Sequence, residues 1–220
     1  MSTFIAKTFP CLLFSFVFVL TQSSWAQDGF NRRFFGVIAS PQLAKLGEVA
    51  KELKLTDEQK KQVDSMISDL TGKFGKAFQE AAGDFEKMGV EIRKLQTEAH
   101  TKVLESLDDL QKKRMQEIYV QVNKSTVLLD KSVASSLKIS EDQQKKIEKA
   151  QQESQQAMFA SFGDWQNMSE KERAKMAEEV VANRDKTMAA PLTDDQKSEF
   201  EKSMGLKLEI NLSKIPMPGQ

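Results

Sequence analysis

The stretch LKLTDEQ, residues 53–59, organises this chain because its pattern recurs along the sequence. It returns as LKISEDQ at residues 137–143, as LTDDQ at residues 192–196 and, more loosely, as LDDLQ at residues 107–111. Each copy sets a hydroxyl or carboxylate residue three positions before a glutamine, which is the arrangement of a capping box at the start of an α-helix. The four copies therefore predict four helix starts.

The capping box has a defined chemistry. The first side chain accepts a hydrogen bond from the backbone N–H of the glutamine, and the glutamine side chain accepts one from the backbone N–H of the first residue. This chemistry accounts for the motif without a catalytic or ligand-binding role. The predicted capping pairs are Thr56 and Gln59, Asp108 and Gln111, Ser140 and Gln143, and Thr193 and Gln196.

A hydrophobic staple is not expected at these four helix starts. A staple needs an apolar residue at the fourth helical position, and that position holds lysine or glutamine in each copy. The Leu or Ile before each box is therefore expected to pack on a neighbouring helix.

The rest of the sequence also has the pattern of a helical protein. Proline is rare, while Lys, Glu, Gln and Ala are common. Apolar residues recur at steps of three and four from residue 63 to 81, from 85 to 106 and from 109 to 123, which is the spacing of helices that face a core. We therefore predict an all-α fold of elongated helical hairpins or a bundle.

Three local features refine this prediction. Ser40 is expected to cap a short helix that has Pro41 in its first position and ends near Leu53. Gly72 and Gly75 interrupt the following helix, and we expect a bend or a close helix contact there. Residues 206–212 alternate apolar and polar side chains, which predicts either a strand or an extended arm docked on the helices, within a short extended tail over 206–220.

Several segments recur in the same order. GDFEKM, residues 83–88, reappears as GDWQNM at residues 163–168, between matching copies of the capping motif. We interpret this order as two copies of a four-helix repeat, residues 40–123 and 126–205, although polar helices also resemble one another by chance. The two copies are expected to act as an intrachain pseudo-dimer or to form a homodimer.

The N-terminus has the features of a secretory signal peptide over residues 1–26. A positive charge at Lys7 precedes an apolar run at residues 9–20, and small residues precede a cleavage point after Ala26. The alternative is an uncleaved anchor, but the run is shorter than the roughly 20 residues that span a bilayer. We expect a periplasmic or secreted protein with no membrane insertion after processing, and a leader over 27–39 that is either packed or flexible.

Charge and composition exclude several classes of function. The formal net charge is +0, whereas broad nucleic-acid binding needs an excess of clustered Lys and Arg, so no nucleic-acid partner is expected. Cleavage would remove Cys11, which is the only cysteine, and His100 is the only histidine. We therefore predict no metal site, no cofactor, no enzyme activity and a solvated helix face for His100.

The export signal and the repeated LTDEQ, LDDLQ, ISEDQ and LTDDQ segments resemble the LTxxQ-motif family of periplasmic helical proteins, the group of Spy, CpxP and ZraP. The resemblance covers most of the chain, which is similar to a tandem, double-length member. It implies an all-helical cradle that acts as an ATP-independent chaperone or envelope-stress modulator. The implied partners are unfolded or envelope proteins. The alternative is a structural or regulatory helical envelope protein, either a ligand of a membrane sensor or a metal-responsive relative without a conventional metal site.

A chaperone needs an adaptable, partly apolar surface, and aromatic residues and methionines near the two middle turns are candidates for it. The same side chains at helical spacing would also suit an ordinary core, although Phe159 and Trp165 lie off the main stripe. The candidate client-binding residues are Phe74, Phe78, Phe85, Met88, Met158, Phe159, Phe162, Trp165 and Met168.

Overall fold

The computed structural model describes residues 36–82, 84–165 and 167–215, without the side chains of residues 85, 86, 159 and 161–165. Within these ranges the chain is helical and has no β-strand, so the all-α prediction is confirmed. The helices are α1 (Ser40–Lys45), α2 (Gly47–Glu52), α3 (Asp57–Ala81), α4 (Phe85–Glu105), α5 (Asp109–Asn123), α6 (Lys131–Ser136), α7 (Glu141–Trp165), α8 (Glu170–Ala189) and α9 (Asp194–Lys202). Two short 3-10 helices cover Lys124–Leu129 and Leu212–Lys214.

Two long hairpins dominate the architecture. Helix α3 packs against α4, and α7 packs against α8. Helices α3 and α7 each have 25 residues, which corresponds to a length of about 37 Å. Short helix α1 packs against α3, α4 and α5 and so closes the base of the first hairpin.

The 3-10 helix Lys124–Leu129 joins the two halves at the centre of the molecule. It contacts α5 and α6 as well as α7 and α8. Val127 and Leu128 within it are each 1% exposed and belong to the main core. The same cluster includes Val63 and Val103 from the first hairpin and Ile147 from the second. The two halves therefore share one hydrophobic core.

The apolar residues that precede the four capping boxes lie in this shared core. Leu55, Leu107, Ile139 and Leu192 are all buried in the main cluster. The expectation that they pack on neighbouring helices is confirmed. Each box thus directs one apolar side chain into the core from the position just before the N-cap.

Helices α2 and α6 end in the same way, each before the first LTxxQ-type box of its half. Lys54 and Lys138 both adopt the left-handed conformation with φ of 51°. The next N–H in each half, that of Leu55 or Ile139, donates to the carbonyl five residues earlier, at 3.0 Å and 2.9 Å. This is the Schellman geometry, in which glycine is usual. It turns the chain sharply into the following capping box.

The structure corrects two expectations near the start of the described chain. Ala39, not Ser40, is the N-cap of α1, and Ser40 is its first residue. Gln42 Oε1 accepts from the Ala39 N–H at 3.2 Å, so the Ser40 hydroxyl is not needed as a cap and faces inward. The short helix predicted to end near Leu53 is divided into α1 and α2, because Leu46 adopts an extended backbone conformation.

The sequence predicted a bend or a close helix contact at the two glycines in α3, and the close contact is wrong. The helix runs through Gly72 and Gly75 without a break, and a Cβ added at either position would meet nothing within 4 Å. The glycines therefore do not make a close helix contact.

The residues after α9 form no strand within the described part of the chain. Of the two alternatives predicted for residues 206–212, the strand is therefore wrong. The backbone N–H of Leu208 donates to Gln121 Oε1 at 3.1 Å, and Gln121 Nε2 donates to the Leu208 carbonyl at 2.8 Å. Ile215 is buried in the main core. Residues 216–220, like residues 1–26 that the sequence predicts to be a signal peptide and most of the predicted leader, lie outside the described residues.

Replacing Gly72 or Gly75 by alanine should stabilise the protein by about 0.5–1 kcal/mol each, because both positions are exposed and lie in the interior of a helix. Urea denaturation followed by circular dichroism measures this gain. Gly89→Ala in α4 is the matched control, since its added Cβ would lie 3.0 Å from Gln155 Nε2 and should cancel the gain. Equal gains at all three positions would contradict this account of the packing.

Candidate functional site

The glutamines of the first two capping boxes pair with each other. Gln59 Nε2 donates to Gln111 Oε1 at 2.8 Å, and Gln111 Nε2 donates back to Gln59 Oε1 at 3.2 Å. The same nitrogens also donate to backbone carbonyls across the pair, Gln59 to Ser106 at 3.1 Å and Gln111 to Leu53 at 3.0 Å. Each oxygen still accepts from the N-cap backbone of its own helix. Each amide group thus joins its own helix start to the chain entering the other helix.

The second half contains the same arrangement. Gln143 Nε2 donates to Gln196 Oε1 at 2.7 Å, and the reverse bond is 3.2 Å. Gln143 Nε2 also donates to the Pro191 carbonyl at 2.9 Å, and Gln196 Nε2 donates to the Leu137 carbonyl at 3.2 Å. Two amide pairs therefore clamp the bases of the two hairpins in equivalent ways.

Sequence reasoning found the caps at these positions but missed the pairing. A capping box accepts either Glu or Gln, yet all four LTxxQ-type boxes use Gln. Only Gln supplies the N–H groups that the pair requires. By contrast, the box that starts α8 uses Ser169 and Glu172, whose carboxylate accepts from the Ser169 N–H at 2.7 Å. The choice of Gln over Glu was the signal that could have revealed the pairing.

His100 lies in the core, so its predicted solvated position is wrong. It is 6% exposed, and its Nδ1 hydrogen-bonds the buried Ser40 hydroxyl at 2.5 Å. Its ring stacks on Tyr119 with centroids 4.1 Å apart. Burial lowers the pKa of His100 below its ordinary value, against a smaller opposing effect of the Asp130 charge. The sequence missed this because the inward-facing partner, Ser40, is distant in the chain.

No metal centre is formed by the part of the chain that the structure describes, which contains no group of three or more His, Cys, Asp or Glu side chains suited to a metal ion. His100 is engaged with Ser40 and Tyr119 instead.

The candidate client-binding residues lie on the two hairpins, with unequal burial. Phe74 is half-buried against a small cluster that includes Leu70 and Ala77, whereas the Phe78 side chain is 47% exposed. Met88 and Met168 are half-buried, and Met158 packs on a second small cluster on the other hairpin. The side chains of Phe85, Phe159, Phe162 and Trp165 lie outside the described residues.

Among the described side chains, two small apolar clusters extend the hairpin interiors. Beyond the shared core, the first hairpin buries Ala77 and Ala99 with Leu70 and Leu95, and the second buries Ala177 with Val181. Alanine at a helix contact allows close approach but buries little apolar area. Among the described residues of the first hairpin, the large apolar side chains of Phe78 and Val90 are exposed.

None of the described helices is long and apolar enough to span a membrane. Comparison with family models, curated proteins and solved structures finds no match for this chain. The assignment of function therefore depends on the residues and their geometry.

Replacing Gln59 by Glu should keep the capping box but destabilise the protein by about 1–3 kcal/mol, because the Gln111 and Ser106 oxygens lose their donor. Gln143→Glu should have the same effect in the second half. Equilibrium urea denaturation measures both.

The matched control is Glu172→Gln, which alters a box that has no paired glutamine and should change the free energy of unfolding by less than about 0.5 kcal/mol. If Gln59→Glu is equally neutral, the pair contributes nothing beyond its caps.

Stability should fall as the pH is lowered from about 7.5 to about 5, because of His100. Its pKa is lower in the folded chain than in the unfolded chain, so the unfolded chain takes up the proton first as the pH falls through about 6.5. Thermal unfolding across this range measures the effect. His100→Gln retains an acceptor for Ser40 and should flatten the profile, whereas an unchanged slope would exclude His100 as its source.

Proposed function

We propose that this chain is an exported, non-enzymatic protein of the LTxxQ type, formed by an internal duplication, that binds unfolded envelope proteins on its two helical hairpins. The activity is that of an ATP-independent chaperone, which holds apolar client segments and prevents their aggregation. The proposal is carried by one observation, the exposure of the large apolar side chains of Phe78 and Val90 along the first hairpin.

The chemistry of this surface suits varied clients. Phe78 offers an exposed aromatic ring, and Met88, Met158 and Met168 are partly accessible. Methionine is flexible and polarizable and adapts to partners of different shape. The first hairpin also carries both signs of charge, for example Lys73 and Asp69, which form a 2.9 Å ion pair. A surface of mixed apolar and charged groups favours weak, reversible binding over one fixed partner.

The bases of the hairpins provide a stable mount for these surfaces. Each base is held by an amide pair and by the shared core, whereas the outer parts depend on small clusters. Regions with few buried apolar contacts open at lower free energy than the core. This division allows the hairpin surfaces to adapt to a client while the fold persists.

Phe78→Ser should roughly halve the ability of the protein to suppress light scattering by a heated or reduced client at an equimolar ratio, because it removes an exposed apolar contact. Leu110→Ser is the matched control. Leu110 is 83% exposed, but it lies next to Gln111, whose amide pairs with Gln59 at the base of the hairpin. Gln59 lies about 28 Å along α3 from Phe78.

If the wild-type protein leaves scattering unchanged at that ratio, the chaperone proposal is wrong. A single saturable partner in pull-down experiments would instead favour the regulatory alternative, a ligand of a membrane sensor.

A further inference from the structure

A cleft of about 370 Å³ lies where the two hairpins face each other. Helix α4 lines one side and α7 the other, and Tyr119 together with the 3-10 helix Lys124–Leu129 contributes to its lining. The two hairpins come close at Gly89, where the space for a Cβ is limited by Gln155 Nε2 at 3.0 Å. This volume falls in the range of small-molecule sites and is too large for a single water molecule.

The facing sides of the two helices are polar where a helix contact would normally be apolar. Helix α4 contributes Arg93 and Thr97, and α7 contributes Glu148, Gln151 and Gln152. These positions recur at steps of three and four, so each set lies on one face of its helix. A polar cleft between two halves that otherwise share a hydrophobic core requires a separate explanation.

Arg93 is the cationic group available in this cleft. It is half-buried, and within the described ranges it makes neither a hydrogen bond nor an ion pair. Burial lowers the pKa of its guanidinium group, and the Glu148 charge partly offsets that effect. A half-buried guanidinium is well suited to a carboxylate, which it can bind with two parallel hydrogen bonds.

The opposite wall supplies acceptors. Gln151 is 6% exposed, and its Oε1 is buried with no hydrogen-bond partner among the described residues. A buried polar atom without a partner is costly, so such an atom in a cleft marks a position for a donor. Glu148, one helical turn away, lies exposed at the rim and adds a negative charge.

Two other charged residues line the cleft. Lys94 is exposed and forms a 3.8 Å ion pair with Glu91. Asp130 accepts from the backbone N–H of Ser132 at 2.9 Å and from its hydroxyl at 2.8 Å and keeps its negative charge. Among the described lining residues, Arg93 is therefore the cation without an ion pair, while Glu148 and Asp130 supply negative charge.

We propose that this cleft is a binding site for a zwitterionic ligand of the amino-acid or short-peptide class. Its carboxylate binds Arg93, and its ammonium group donates to Gln151 Oε1 and faces Glu148. A zwitterion can meet Arg93 with its carboxylate and the negatively charged part of the lining with its ammonium group, which a ligand with a single charge cannot do. Val90 lines the cleft but Phe78 does not, so Phe78 tests the client surface independently of this site.

Isothermal titration calorimetry of the full chain tests the ligand class with four probes: L-alanyl-L-alanine, L-alanine, N-acetyl-L-alanine and L-alaninamide. L-alanyl-L-alanine and L-alanine are zwitterions, and at least one of them should bind saturably. N-acetyl-L-alanine and L-alaninamide carry a single charge, and each should bind at least about tenfold more weakly than that zwitterion. The ratio between the two zwitterions identifies a free amino acid or a peptide as the better ligand. No saturable heat from either zwitterion at about 10 mM would overturn the proposal.

Two variants test the assigned residues. Arg93→Gln should weaken the zwitterion about tenfold or more, and Glu148→Gln should weaken it while leaving N-acetyl-L-alanine unchanged. Lys149→Gln is the matched control, because Lys149 lies on the exposed face of α7 and does not line the cleft. Glu148 is exposed, so its variant also tests the site should Arg93→Gln fail to fold. Equal affinities in the Arg93, Glu148 and Lys149 variants would place the ligand elsewhere.

Discussion

The reciprocal hydrogen bonds between Gln59 and Gln111, and between Gln143 and Gln196, are the constraint on which the rest of the fold depends. Each amide accepts from its own helix start and donates to the partner amide and to the chain entering the partner helix. A local capping element is thereby converted into a long-range tie. Two helix starts that are distant in sequence are held together at the base of each hairpin, where each half-buried amide has its hydrogen bonds satisfied.

The clamps determine where apolar side chains are placed. Because each box fixes the start of a helix, the preceding Leu or Ile enters the shared core at a set position, as Leu55 and Ile139 do in the two halves. The left-handed Lys54 and Lys138 complete the turn that leads into these boxes. The core then joins both halves through the central 3-10 helix, while the described side chains of the outer hairpins form two small clusters. The apolar surface proposed for clients and the polar cleft between the hairpins are both consequences of this uneven packing.

His100 and Arg93 show how burial decides chemistry in this fold. The same stretch of α4 places one titratable ring in the core and one guanidinium in the cleft, and burial lowers the pKa of both. His100 is matched by the Ser40 hydroxyl and the Tyr119 ring, so it acts as a structural group. Arg93 lacks such a partner among the described residues, so it carries the binding proposal.

The sequence by itself determined the helical class, the four helix starts and the need for the Leu and Ile residues before them to pack away from their own helices. These features depend on local hydrogen bonds and on the spacing of apolar residues, which a single sequence displays directly. Only the tertiary structure decided that the four glutamines pair, that Ser40 turns inward to His100 and that Gly72 and Gly75 make no close contact. It also revealed the cleft that holds Arg93 and Gln151. Those outcomes depend on groups that are far apart along the chain, and the distances between them are set only when the hairpins pack.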